Sequence, residues 1–273
     1  MSGQPEERRA DVAVASDGAA LKFWSYGFGP RTLLLVSGLG GTGAFWKEVA
    51  LTLAENMRII VFDQRGIAAS TRGTATVTIE QLAKDCFAVL DAAGAQASFL
   101  LGHSTGGCIV QECAQLAPER VEGLILSAAW MRRSRYMSAL FQTRREILEM
   151  DPVVYAKSSV LLSYPPSWLE DNWDVFETAV KKAPMDPSQA KIVRERIDAL
   201  LSFDGPLRSQ VLKLPSLILG TYDDMIVPPF LQEELSACLP LSQIRMLKNG
   251  GHFFPVSRSD DFVDEVSRWL VTQ

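Results

Sequence analysis

Short apolar segments alternate with longer amphipathic segments along most of the chain. The apolar segments are nearly unbroken runs of Val, Ile and Leu, and the segments between them have the apolar spacing of helices. Strands of this composition are buried on both faces, which is typical of a mostly parallel sheet with helices on both sides. The predicted strands are "TLLLVSG" (32–38), "MRIIVFD" (57–63), "SFLLG" (98–102), "VEGLILS" (121–127), "PSLILGTYDD" (215–224) and "SQIRMLK" (242–248), and the predicted helices cover 43–55, 78–93, 104–117, the region near 228–238 and the segment from Ser259 onward.

Both ends of the chain extend this pattern. Near the N-terminus, "DVAVASDGAALKFWSYG" (11–27) has two strand-like stretches around a Ser-Asp-Gly turn, which predicts a hairpin. The last predicted helix has an apolar face at helical spacing, and we expect that face to pack on the sheet. Its members are Phe262, Val263, Val266, Trp269 and Leu270.

The alternation is interrupted between the sixth and seventh strands. From 131 to about 203 the helical pattern continues with no buried strand, and Arg, Met, Tyr and Trp are frequent. We therefore predict an α/β core formed by 1–130 and 207–273, with a helical cap at 131–206 inserted after strand 6. A separate second domain is the alternative. An insertion at this point would lie over the carboxyl ends of the strands, where open α/β sheets bind ligands.

Composition narrows the class of protein. The chain has 273 residues, 47% of them hydrophobic, and a formal net charge of −5, which argues against nucleic acid or an anionic membrane as the main partner. Its four cysteines have no metal-ligand spacing, and no segment has the length and apolarity of a signal peptide or a membrane span. We expect a cytoplasmic protein, monomeric or homodimeric, that acts on a small molecule.

The segment "GHSTGG" (102–107) follows a predicted buried strand and begins a predicted helix. It fits the pattern G-x-S-x-G, in which a sharp strand-to-helix turn holds the serine side chain outward beside the N–H groups of the helix. Glycines flank the serine because bulkier side chains would collide with the turn. Ser104 is therefore the predicted nucleophile.

A serine hydroxyl needs a base within hydrogen-bond reach and an acid that orients the base. The chain has two histidines, of which His103 is adjacent to Ser104 on the turn and is expected to pack beneath it. His252 lies in a glycine-flanked loop after the last predicted strand and is the predicted base. Asp223 and Asp224 both end the preceding strand, so either could be the acid, and Asp63 is an outside candidate that we expect to pair with Arg65 instead.

The glycine-rich segment "SGLGGTG" (37–43) follows a buried strand and precedes a helix. It lacks the lysine of a nucleoside triphosphate loop and the spacing of a dinucleotide site. Beside the serine turn, its backbone can direct N–H groups toward a developing oxyanion. We assign the oxyanion hole to the backbone amides of Leu39 and Thr105, and the chemistry then requires neither a metal nor an organic cofactor.

These motifs, in this order, resemble the α/β-hydrolase superfamily of the serine hydrolase type. The matching segments are "SGLGG", "FDQRG", "GHSTGG", "DDMIVP" and "GGH". The resemblance implies an α/β-hydrolase fold and the chain order Ser, Asp, His for the triad. It also favours Asp224 over Asp223, because Asp224 stands four residues before Pro228.

Within the superfamily, several segments are similar to the aminoacrylate hydrolase group of the pyrimidine-utilisation pathway. They are "SGLGGTGAFW", "DQRG", "LLSYPPSW" (161–168) and "DDMIVP". Many superfamily members have His-Gly where this chain has Ser37-Gly38, and members of the aminoacrylate group can carry alanine where this chain has Ser104. The intact serine favours ordinary acyl hydrolysis.

Arginines and aromatic residues of the predicted cap are candidates for substrate contact. A guanidinium facing the site would suit a carboxylate-bearing substrate, because it pairs with carboxylates through two parallel hydrogen bonds. A solvated helix face is the alternative for the arginines, and packing on the core is the alternative for the aromatic residues. The candidates are Trp130, Arg132, Arg133, Tyr164, Trp168 and Phe253.

The sequence therefore predicts a hydrolase that cleaves an ester, amide or related acyl bond of a small molecule. Hydrolysis of a carbon–carbon bond or of an aminoacrylate- or carbamate-like compound is the alternative, with water activated by His252. A ligand receptor built on a hydrolase scaffold and a lyase of cyanohydrins are further alternatives. Reaction with a fluorophosphonate would separate a working hydrolase from an inert scaffold.

Overall fold

The strands and helices are taken from a computed structural model, which describes residues 7–203 and 213–273. Within these two ranges, eight strands form one sheet. The strands are β1 (Glu7–Val14), β2 (Ala20–Tyr26), β3 (Thr32–Val36), β4 (Arg58–Phe62), β5 (Ser98–His103), β6 (Val121–Ser127), β7 (Ser216–Thr221) and β8 (Ser242–Leu247).

The strand order across the sheet is β1-β2-β4-β3-β5-β6-β7-β8. The hairpin strand β2 pairs antiparallel with β1 and with β4, and each of the remaining neighbours pairs parallel. Every residue of β3, β5 and β7 is buried, as the unbroken apolar runs predict, whereas the edge strand β8 contains exposed positions. The predicted mostly parallel sheet is confirmed.

The helices connect the strands and cover the sheet. Helices α1 and α11 contact each other, as do α2 and α3, so the sheet is packed between helical layers. The predicted apolar face of α11 is buried from Phe262 to Leu270. The helices are α1 (Lys47–Leu53), α2 (Ile79–Ala92), α3 (Thr105–Leu116), α4 (Arg135–Met150), α5 (Pro152–Ser163), α6 (Pro166–Asp171), α7 (Trp173–Lys181), α8 (Pro187–Ser202), α9 (Pro229–Cys238), α10 (Phe254–Ser257) and α11 (Ser259–Val271).

Helices α4 to α8 occupy the chain between β6 and β7. Several of them begin at residues suited to helix starts: Ser134 caps α4, and Asp151 and Asp186 cap α5 and α8, each followed by a proline. Helix α4 contacts both α5 and α8. The predicted end of this segment, at 206, lies outside the described residues. In the part of the chain that the structure describes, every helix is too short or too polar to span a bilayer.

A buried ion-pair network joins the hairpin to the core. Arg65, fully buried after β4, contacts Asp85 of α2 at 2.5 Å and Asp17 of the β1–β2 turn at 2.8 Å. The Arg65 hydrogen bond holds the pKa of the Asp17 carboxyl well below its usual range. The expected pairing of Arg65 with Asp63 is wrong, because Asp63 accepts hydrogen bonds from the backbone of Gly43 and the loop that follows β4.

Candidate active site

The carboxyl ends of four strands bring the candidate residues to one edge of the sheet. In the parallel pair β3 and β5, Val36 is opposite Gly102, so the glycine-rich loop and the serine turn begin side by side. In the pair β7 and β8, Thr221 is opposite Leu247, so the loops that carry Asp224 and His252 also begin side by side. The Thr221 hydroxyl donates to the carbonyl of Gly251 at 2.9 Å and joins these two loops.

Ser104 occupies a strained backbone conformation between β5 and α3. Its φ is 56° and its ψ is −124°, a region that residues with side chains rarely adopt. A Cβ atom at Gly102 would lie 2.2 Å from the carbonyl oxygen of Gly106, and one at Gly106 would lie 2.2 Å from the carbonyl oxygen of Val36. The two glycines are therefore required by close backbone packing, as the sequence pattern predicts.

His252 and Asp224 form a buried pair. The His252 Nδ1 atom lies 2.9 Å from Asp224 Oδ2, and both residues are 3% exposed. The other carboxylate oxygen, Oδ1, accepts the backbone N–H groups of Ile226 at 2.8 Å and Val227 at 2.9 Å. Because both oxygens are engaged, the carboxylate has a fixed orientation. A carboxylate at Nδ1 favours the tautomer whose Nε2 can accept a proton.

Asp223 has a different place from its neighbour. Its two carboxylate oxygens accept the backbone N–H groups of Gly250 at 3.1 Å and Gly251 at 2.9 Å. It thus holds the loop that carries His252 and does not contact the imidazole. The sequence-based choice of Asp224 as the partner of His252 agrees with this arrangement.

His103 lies beneath the serine turn in an aromatic cluster. It is 1% exposed, its Nδ1 is 2.9 Å from the Ser127 hydroxyl, and Phe45 stacks on its ring at 5.3 Å between centroids. Burial, with a smaller contribution from the nearby His252, lowers the pKa of His103 well below its usual value. A histidine kept neutral in this way is a packing residue, as its adjacency to Ser104 suggests.

The glycine-rich loop lies directly against Ser104. A Cβ atom at Gly38 would be 3.0 Å from the Cβ of Ser104, so glycine allows the closest approach of the two segments. Within the described ranges, the backbone N–H groups of Leu39 and Thr105 donate to no protein acceptor. Two free N–H groups beside Ser104 are what an oxyanion hole requires.

Arg196 of α8 holds this loop from behind. Its Nε donates to the carbonyl of Leu39 at 2.8 Å, and its Nη2 donates to the carbonyl of Gly38 at 3.0 Å and to the side-chain oxygen of Gln64. Gln64 in turn donates to the carbonyl of Ser37 at 2.7 Å. Burial lowers the pKa of the Arg196 guanidinium to about 10, so the side chain remains a cation at neutral pH. Sequence analysis did not find this residue.

A cavity of about 380 Å³ opens onto Ser104 and His252. Its floor is formed by the glycine-rich loop and the serine turn, and its walls come from α4, α5, α7 and α8. The volume is at the lower end of the roughly 300–1,000 Å³ of small-molecule sites. The cavity is mostly apolar, and its side-chain lining includes Phe45, Phe141, Arg144, Tyr155, Ser159, Val160, Ser163, Lys182, Val193, Ile226 and Phe253.

The structure brings one of the predicted substrate residues to the cavity wall, Phe253. The two predicted arginines lie elsewhere, and the expectation that one of them faces the site is not supported. Arg132 is exposed and pairs with Glu234 at 3.0 Å, and the exposed Arg133 donates to the carbonyl of Leu201. Both precede α4, in a segment that solvent reaches.

The remaining aromatic candidates pack near the cavity without lining it. Trp130 is fully buried, and its carbonyl accepts a hydrogen bond from Gln111 at 3.0 Å. Tyr164 and Trp168 stack at 4.5 Å between centroids, and Tyr164 also contacts the ring of Phe253. Burial raises the pKa of Tyr164 to about 12. These rings support the wall and do not form it.

Arg144 is the charged residue of the wall that sequence analysis missed. It lies on α4, where the buried positions are Met137, Phe141, Arg144 and Leu148, so it belongs to the apolar face of an amphipathic helix. An arginine at such a spacing is a sign of a buried charge.

Within residues 7–203 and 213–273, no cluster of His, Cys, Asp and Glu could hold a metal ion.

The model of a protein family described as the alpha/beta hydrolase fold matches residues 31–258. The chain belongs to the α/β-hydrolase fold family. The resemblance inferred from the motifs is confirmed, and the chain is a hydrolase of this fold.

Two similar α/β hydrolases carry the name "Putative carbamate hydrolase RutD". The protein of Azorhizobium caulinodans is 32% identical over 231 residues, which cover 84% of this chain and 87% of that one. The protein of Stutzerimonas stutzeri is 32% identical over 235 residues, with coverages of 85% and 88%. Among solved structures of α/β hydrolases, the enol-lactonase of Burkholderia xenovorans superimposes with a TM-score of 0.85 at 19% identity, covering 96% of this chain and all of that one.

Proposed function

We propose that the chain is a serine hydrolase of small acyl compounds, with Ser104 as nucleophile, His252 as base and Asp224 as the orienting acid. The observation that carries the proposal is the 2.9 Å contact between His252 and Asp224 at the edge of the cavity that also contains the strained Ser104. A nucleophile, a base and an oriented carboxylate at one edge of the sheet are the parts that acyl transfer needs.

The first half-reaction follows from this arrangement. Ser104 Oγ adds to the acyl carbon of the substrate while its proton moves to His252 Nε2, and Asp224 stabilises the resulting imidazolium through Nδ1–H. The backbone N–H groups of Leu39 and Thr105 bind the negative oxygen of the tetrahedral intermediate. When the intermediate collapses, His252 returns the proton to the leaving group, and an acyl-enzyme remains.

The second half-reaction repeats these steps with water. His252 takes a proton from water, whose oxygen attacks the acyl-enzyme, and the proton then restores the Ser104 hydroxyl as the acid departs. In the described residues no hydrogen bond joins Ser104 Oγ to His252. Such contacts are often long in a site without substrate and tighten when substrate binds.

We also propose that α4 to α8 form the cap of the site. Their side chains supply much of the cavity wall, including Phe141, Tyr155, Ala179 and Val193. A cap built from the chain between β6 and β7 would exclude water from the acyl-enzyme and would select substrates by size. The small cavity suits a compact acyl group.

A fluorophosphonate probe tests the proposed nucleophile. The folded protein should be labelled covalently, and Ser104→Ala should lose the label. Ser163→Ala is the matched control, because Ser163 lines the same cavity but its hydroxyl donates to the backbone carbonyl of Ser159 at 2.7 Å. The proposal would be refuted if the native protein is not labelled, or if Ser104→Ala is labelled as the native protein is.

Hydrolysis of a carbamate is the second candidate, favoured by the name that the two relatives carry. The same cavity could hold a carbamate, with water activated by His252 attacking the carbonyl carbon directly. This direct route would be supported if Ser104→Ala still hydrolyses a carbamate and His252→Ala does not. If Ser104→Ala is inactive on carbamates and esters alike, the covalent route is favoured.

A further inference from the structure

Arg144 is a buried cation that forms no ion pair with any carboxylate of residues 7–203 and 213–273. Its residue surface is 7% exposed, and in the described part of the chain no carboxylate lies within ion-pair distance of its guanidinium. Its Nη2 donates to the Ser159 hydroxyl at 2.9 Å, while its Nε is buried and has no hydrogen-bond partner. A guanidinium has five N–H donors, so most of this group's capacity is unused.

The surroundings of Arg144 orient it without neutralising it. The rings of Phe141 and Tyr155 lie at 5.2 and 5.4 Å from its guanidinium carbon, which is cation–π distance. The Ser159 hydroxyl donates its own proton to the carbonyl of Tyr155 at 2.7 Å and therefore accepts from Arg144. These contacts fix the plane of the guanidinium. None of them is with an anion, so they do not neutralise its positive charge.

The cavity contains no acidic side chain that could match this charge. Among the described residues that line it there is no Asp or Glu. Apart from the two histidines, its basic side chains are Arg144, which lies in the wall, and Lys182, which is exposed. An uncompensated buried charge is strongly unfavourable, so its retention points to a ligand that brings the counter-charge. The planar donors of arginine fit the two oxygens of a carboxylate better than a point charge does.

We propose that Arg144 is a carboxylate-binding residue and that the substrate is a small acyl compound carrying a carboxylate away from the bond that is cleaved. The inference rests on the proposed function for the position of the reacting bond, but the anion site itself does not need Ser104. The cavity of about 380 Å³ contains Arg144, Ser104 and His252 together, which limits the substrate to one that spans them.

Equilibrium binding to the Ser104→Ala protein tests this site separately from catalysis. The probes are butyrate and its uncharged isostere butyramide, measured by calorimetry or by the ligand-induced shift in Tm. We expect butyrate to bind more tightly than butyramide, and Arg144→Met to lose about 10- to 100-fold in butyrate affinity with little change for butyramide, as removal of a charge-assisted hydrogen bond predicts.

Arg145→Met is the matched control, because Arg145 is the next residue of α4, is exposed and pairs with Asp198 at 2.8 Å. It should bind both probes as the parent protein does. Arg144→Lys keeps the charge but loses the planar pair of donors, and it should bind butyrate with intermediate affinity.

The stability of the variant distinguishes a binding role from a structural one. Without ligand, Arg144→Met should have a Tm equal to or above that of the parent, because it removes a buried charge and Ser159 keeps its bond to Tyr155. A marked fall in Tm would assign Arg144 to structure. Equal affinity of the parent protein for the two probes would overturn the proposal, as would a butyrate preference that survives in Arg144→Met. Neither result depends on the fluorophosphonate experiment.

Discussion

Replacement of Arg196 should damage catalysis far more than it damages the fold. The side chain connects α8 to the glycine-rich loop through the carbonyls of Leu39 and Gly38, and to Gln64. In Arg196→Met these three bonds are lost while an apolar side chain of similar length fills the space. The loop would then be free to rotate, and the N–H group of Leu39 would leave the position where it faces the oxyanion.

The expected loss of stability is modest because two effects oppose each other. Two acceptors would lose their donor, the buried side-chain oxygen of Gln64 at about 1–3 kcal/mol and the partly buried Leu39 O at less, whereas Gly38 O keeps the N–H of Gly41 at 3.0 Å. The variant also avoids burying a cation, whose lowered pKa of about 10 corresponds to a net cost of roughly 3 kcal/mol for holding the charged form in this site. The net loss should not exceed about 3 kcal/mol.

The expected loss of activity is larger. One oxyanion donor contributes about 2.7–4 kcal/mol to the transition state, so kcat should fall about 10²- to 10³-fold while KM changes little. The assay is hydrolysis of 4-nitrophenyl acetate, with urea denaturation for stability. Arg194→Met is the control, since Arg194 lies two residues away on α8, has a partly exposed side chain and contacts Glu149 at 3.6 Å, and Arg196→Lys should recover part of kcat. If kcat of Arg196→Met stays within a few-fold of the control, the positioning role is wrong.

Three further predictions concern single side chains. Asp224→Asn should lower kcat about 10⁴-fold by favouring the wrong tautomer of the base, whereas Asp223→Asn, which changes only the loop contacts, should lower it far less in the same assay. Because burial lowers the pKa of His103, the unfolded chain takes up a proton below about pH 6.5 that the folded chain does not, so stability falls with acidification by ~1.4 kcal/mol per pH unit. His103→Gln should flatten that dependence between pH 5 and 6.5 in urea denaturation, and identical slopes would contradict the assignment. Asp85→Ala should cost about 3–5 kcal/mol of unfolding free energy by removing the more deeply buried of the two carboxylates that pair with Arg65, against less than about 1 kcal/mol for the exposed Asp91→Ala on the same helix, and equal effects would refute the importance of burial.

The central strands and the strand-to-helix turn at Ser104 could be predicted because their sequence patterns are local. Burial on both faces leaves an unbroken apolar run, so the central strands β3, β5 and β7 begin and end within a few residues of their predicted limits. The serine turn needs Gly102 because a Cβ atom there would meet the carbonyl oxygen of Gly106, four residues later, whereas Gly106 is needed for its close approach to Val36 of the neighbouring strand β3. His252 and Asp224 follow from the same logic, since each lies in a loop directly after a recognisable strand.

The wall of the cavity could not be predicted in the same way. The sequence interpretation chose Arg132 and Arg133 because they are clustered, but a cluster of charges is more easily accommodated in solvent. Arg144 and Arg196 instead occupy buried positions among apolar residues of long helices, and the partners of Arg196 lie far away in the chain. A lone arginine on an apolar helix face was the available sign. Its meaning depends on which helices pack together, which local patterns do not specify.

The ion-pair network of Asp17, Arg65 and Asp85 has a consequence for how the chain can be shortened. Asp17 belongs to the turn of the N-terminal hairpin, and besides Arg65 it accepts the backbone N–H groups of Thr74 and Ala75. Deletion of the hairpin, which lies at the edge of the sheet, would remove one of the two carboxylates that neutralise the buried Arg65. It would also leave the backbone N–H groups of Thr74 and Ala75 without this acceptor. Shortened versions of this protein should therefore retain the hairpin.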